Sequence, residues 1–115
     1  MSSAFIFMFN EVAGNIKAVL NANKYIKKLK SMYKTLENTE YGVELLQIAI
    51  NDLETFLLRI EYYQEIGYTE KVYTTTQALI FRQEMWNRFM LQYIIQNKIN
   101  YKLIIESNKK LKDYY

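Results

Sequence analysis

Ten lysines collect towards the ends of two segments of this 115-residue chain: Lys24, Lys27, Lys28, Lys30 and Lys34, then Lys98, Lys102, Lys109, Lys110 and Lys112. Interleaved with Tyr25, Tyr33, Tyr101, Tyr114 and Tyr115, they are of the types that meet phosphates and stack on bases. Lys24, Lys27, Lys28, Lys30, Lys98, Lys102, Lys109 and Lys110 form a candidate anion patch. Three features weigh against nucleic acid as the partner. Lysines are favoured in the last turns of helices by the macrodipole, with no ligand needed. Glu37, Glu40 and Glu44 follow the first lysine cluster closely. Arginine, the better reader of phosphates and bases, is missing from the patch. Solvated helix ends are the expectation.

The other groups that could do chemistry are carboxylates. Glu54, Glu61 and Glu65 stand at i, i+7 and i+11, and Glu40 and Glu44 at i, i+4, so each set shares a helix face. Paired carboxylates do acid–base work when burial splits their pKa values. A di-metal carboxylate bundle adds histidine to such a set, and the chain has no histidine and no cysteine. The same absence leaves Ser2, Ser3, Ser31 and Ser107 without a general base, and isolated Gly42 and Gly67 do not make a phosphate loop. No catalytic residue, metal site or cofactor is expected, and the chain reads as a non-enzyme.

The elements that carry these groups are legible in the distribution of charge. Residues 1–36 hold six lysines and one acid, residues 37–70 eight acids and Arg59, and residues 71–115 eight bases and three acids. Each segment repeats apolar residues every three or four positions, which is helical. In the first the seam is Phe5, Phe9, Val12, Ile16, Val19, Asn23, Ile26, Leu29, Tyr33 and Leu36; in the second it is Val43, Leu46, Ile50, Leu53, Leu57, Ile60 and Tyr63. With no proline, and glycine only at 14, 42 and 67, the fold class is all-α. The expected architecture is one domain over residues 1–115, an antiparallel bundle of three long helices at about 3–36, 40–66 and 70–112. The acidic middle helix lies against its two basic neighbours. Ser2 or Ser3 is placed to cap the first helix and Thr69 the third, and Gly67 sits where a left-handed C-cap belongs. A kink in the third helix is expected at the β-branched run 74–76, if anywhere. Asn23, Asn97 and Asn108 interrupt the apolar seams, where a buried Asn would set register.

Two stretches are more apolar than a bundle requires. Run 4–9 is apolar on all sides, and 79–95 is apolar at 11 of 17 positions, more than the stripe of about 100° that faces a single core. The surplus makes Phe5, Phe7, Phe9, Phe81, Met85, Phe89 and Met90 the candidate interaction surface. The expected function is that of a helical protein–protein interaction protein, an oligomeric assembly component or adaptor. The alternatives are a small inhibitor or immunity-type protein docking on one target, and nucleic-acid binding through the lysine end. No run approaches the roughly 18 apolar residues of a membrane span. Without a basic n-region or a long apolar h-region at the N-terminus, an intracellular location is expected. Ile, Lys, Tyr and Asn supply 46 of the 115 residues. All have AT-rich codons, so the chain fits the AT-rich genomes of some bacteria, viruses and phages.

Overall fold

A computed structural model of the chain describes residues 3–97, with side-chain environments from residue 14 onwards. It is all-helical, without strands among the described residues: α1 (Ser3–Ser31), α2 (Tyr33–Leu36), α3 (Gly42–Glu65) and α4 (Thr69–Gln96). The three long helices all pack against one another, and α2 packs on α1 and α3. Among the described residues, no helix is long and apolar enough to cross a membrane.

The first predicted helix is two. It breaks at Met32, whose N–H bonds back three residues to the Leu29 carbonyl at 3.0 Å while the Ser31 hydroxyl bonds the Lys28 carbonyl at 2.6 Å. The short α2 that follows carries Leu36 into the core, where it is fully buried. Since Leu36 keeps the three-and-four spacing from Leu29 and Tyr33, the periodicity alone continues the helix through the break.

Between α2 and α3 the chain turns tightly, and the two residues there play roles opposite to those their types suggest. Tyr41, not Gly42, adopts the left-handed conformation, with φ 65°. Gly42 is needed for closeness instead: a Cβ there would lie 2.6 Å from the Leu36 carbonyl oxygen and would overlap the Thr39 hydroxyl. The second long helix therefore starts at Gly42, two residues later than its acidic start at Glu40 suggests.

Gly67 behaves as its type predicts. It has φ +70°, its N–H bonds the Gln64 carbonyl at 3.1 Å, and the Tyr68 N–H reaches the Tyr63 carbonyl at 2.9 Å. That pair of bonds is the Schellman closure, and the accompanying apolar contact is the Tyr63–Tyr68 ring pair, centroids 6.1 Å apart. Thr69 does not cap the next helix. It is the first helical residue, and Tyr68 before it makes no side-chain cap hydrogen bond. No break interrupts α4 at 74–76, where the Thr76 hydroxyl is satisfied by the Val72 carbonyl at 2.7 Å. The described part of α4 ends at Gln96; the expected continuation to 112 lies outside the described residues.

The core runs through all four helices, from Ala22, Ile26 and Leu29 through Leu36 to Leu46, Leu53, Leu79 and Ile94. The α3 seam is as its spacing predicts, with Leu46, Ile50, Leu53 and Ile60 buried and Val43, Leu57 and Tyr63 half-buried. The α1 seam is rotated from its predicted position. Ala18, Ala22 and Tyr25 join Ile26 and Leu29 inside, while Ile16, in the predicted seam, is 55% exposed. Asn23 is exposed and Asn21 is buried in its place. Because α1 touches both α3 and α4, small residues are needed where it approaches them, and the alanines supply that face.

Candidate interaction surface

The rotation of α4 about its own axis decides which of its many apolar residues reach solvent. One face is committed to the core, with Val72, Thr76, Leu79, Gln83, Met90 and Ile94 buried. On the flank towards α3, Asp52 holds the helix in place. Its Oδ2 accepts the Trp86 indole N–H at 2.8 Å and lies 3.7 Å from the Arg82 guanidinium. Arg82 also lies over the Phe56 ring, 5.6 Å from its centroid. Further along, the Tyr93 hydroxyl donates to the Glu40 carbonyl. As residue numbers rise along α4 from 86 to 93, those of their partners fall from 52 to 40.

With those contacts made, the opposite face of α4 points outward. Phe81, Met85 and Phe89, at i, i+4 and i+8, lie along it; Phe81 is 67% and Phe89 50% exposed. Trp86 meets the Phe89 ring edge-on, centroids 6.0 Å apart, and so buttresses one side of the stripe. Glu84 and Arg88 stand exposed along its other side, and neither pairs with another charge among the described residues. Met90, grouped with these residues on composition, is buried in the core at 3% exposure. It stands about 180° around the helix from Phe81. The side chains of Phe5, Phe7 and Phe9 lie outside the described part of the structure.

A second apolar region lies where the predicted seams of the first and second long helices meet at one end. Between α1 and α3 runs a groove of about 440 Å³ lined by Ile16, Val19, Leu20, Leu57 and Ile60, with Asn23, Glu61 and Gln64 at its sides. Ile16 and Leu20 line it because the α1 seam is rotated. The sequence signal for that rotation is the pair of alanines at 18 and 22, one turn apart.

The charged candidates are described only in part. Lys24, Lys27 and Lys30 are exposed and Lys28 half-buried on α1. Lys30 bridges to Glu54 on α3 at 3.1 Å. Lys98, Lys102, Lys109 and Lys110 lie outside the described residues, so only the first half of the anion patch has a described position. Of the carboxylates, Glu54 is taken by Lys30, and Glu61 and Glu65 are exposed. Among the described residues no group of three potential ligands is close enough to hold a metal ion. Asn97 is exposed at the C-cap of α4, its side-chain N–H bonding the Tyr93 carbonyl at 2.8 Å; Asn108 lies outside the described residues. Compared with protein-family models, curated proteins and solved structures, the chain matches none.

Proposed function

We propose that this chain is a non-enzymatic helical protein–protein interaction protein, an assembly component or adaptor whose working part is the outer face of α4. The observation that carries the reading is the exposed Phe81–Met85–Phe89 stripe on a helix whose opposite face is already buried. Single exposed apolar residues are ordinary, but aromatic and methionine side chains aligned on a rigid helix are the residues that anchor interfaces. The fold suited to this role is an up-down-up bundle of three long helices, supported by the opposed order of the Trp86–Asp52 and Tyr93–Glu40 contacts. In it α4 is braced on one side by α1 and α3 and offers the other.

Light scattering behind a sizing column, at micromolar protein in moderate salt, tests this reading together with a hydrophobic dye. The expected result is a mass above 13.9 kDa, or dye binding, and in either case its loss in the Phe81→Ser, Phe89→Ser double variant. A 13.9 kDa monomer that binds no dye would remove the case for an interaction surface.

A further inference from the structure

Resting on the α4 reading, we infer that the occupant of this face is a second copy of the chain, with the two α4 helices antiparallel about a two-fold axis close to residue 86. The charges beside the apolar stripe select this partner. Glu84 and Arg88 are four residues apart, so they project from the same side of α4. Both are exposed and unpaired among the described residues. In a two-fold contact, if residue i of one copy meets residue j of the other, then j meets i as well. An antiparallel pair centred near 86 therefore sets Glu84 of each copy opposite the partner's Arg88, and the attraction is made twice. The same register brings Phe81 of one copy beside the partner's Phe89 and the two copies' Met85 side chains together near the axis, closing the apolar stripe over itself. Because this face points away from α1 and α3, a second copy approaches without disturbing the bundle. A contact along one helix is small as interfaces go, which places the dimer in the weak range.

Charge reversal in trans tests the register. Sedimentation velocity on the full chain is run from about 1 to about 300 µM, a range that brackets weak association. Wild type is expected to move towards twice its 13.9 kDa mass as concentration rises. Glu84→Arg leaves two basic residues on each copy, and Arg88→Glu leaves two acidic ones. Each variant alone is expected to associate about tenfold more weakly or worse, because both cross-pairs become repulsive. An equimolar mixture of the two is expected to dimerise again. Position 84 of the first variant, now basic, then faces position 88 of the second, now acidic. The unchanged Arg88 of the first faces the unchanged Glu84 of the second. Far-UV circular dichroism should show unchanged helix in both variants, because the two positions are exposed.

Failure of the mixture to recover would overturn the two-fold pairing, since an attraction confined to one helix predicts no recovery in trans. So would a wild-type dimer indifferent to both reversals, although self-association would then still support an interaction surface elsewhere on the chain. A wild type that stays monomeric throughout would also overturn the second copy as partner. Dye binding abolished by Phe81→Ser would in that case leave the interaction surface standing, and absent dye binding would remove it as well.

Discussion

Gln83 is the residue whose chemistry fits its surroundings least. It is 1% exposed on the core face of α4, and its side-chain Nε2 finds no hydrogen-bond partner among the described residues. A buried amide left unpaired costs about 1–3 kcal/mol in desolvation. Gln83→Met, close in length and volume, is expected to raise stability by about 1 kcal/mol in urea denaturation; a loss would mean that the amide is satisfied in solution. The Lys30–Glu54 pair is the opposite case. Both side chains are about half exposed, and such pairs contribute about 0–1 kcal/mol. Lys30→Gln is expected to shift stability by less than about 0.5 kcal/mol, and the wild-type midpoint should hardly respond to added salt. This exposed pair therefore contributes little to holding α1 against α3. The buried leucines do that, at about 1.5–3 kcal/mol for each side chain removed from water.

Two of the connections between helices solve the same backbone problem differently. Ahead of α4, the left-handed position falls on Gly67, at no steric cost. Ahead of α3 it falls on Tyr41, which is largely exposed and so offsets its strain with little burial. The two sites are expected to respond oppositely. Gly67→Ala should destabilise by about 1 kcal/mol, whereas Tyr41→Gly should stabilise by about 0.5–1 kcal/mol after allowance for the looser unfolded chain. Chemical denaturation of both variants beside wild type checks the pair, and a stabilising Gly67→Ala would contradict the left-handed cap. At this scale much was legible: the three long helices, the seam of α3 and the cap at Gly67 all follow from spacing and residue type. The break at Met32 was not, because Leu36 keeps the helical rhythm across it. Nor was the late start of α3, since the clash that demands Gly42 comes from Leu36 and Thr39.

One core passes through α1, α2, α3 and α4, so the described helices are expected to unfold as a single cooperative unit. Trp86, the lone tryptophan, reports on the α3–α4 contact through its bond to Asp52. Its fluorescence and the helical circular dichroism signal are therefore expected to trace the same transition in denaturant. A fluorescence change at distinctly lower denaturant would show that α4 leaves the bundle first. The candidate site belongs to this scale too. Composition singled out Phe81, Met85 and Phe89 along with Met90, but only the assembled bundle divides them, three outward and one inward.

The sequence by itself determined the class and the approximate places of the long helices: absence of proline, three glycines and apolar residues at helical spacing favour helix, and the described residues are all-helical. It also excluded the catalytic chemistry that depends on histidine or cysteine. What only the tertiary structure decided is rotation. Periodicity identifies a stripe on a helix to within about one residue, or 100°, and a helix with apolar residues on several sides has several stripes to offer. Which one is buried depends on neighbours far away in sequence. The close approach of α1 to α3 and α4 turned Ala18 and Ala22 inward and left Ile16 outside. The Trp86–Asp52 hydrogen bond and the Arg82–Asp52 ion pair turned Phe81 and Phe89 towards solvent.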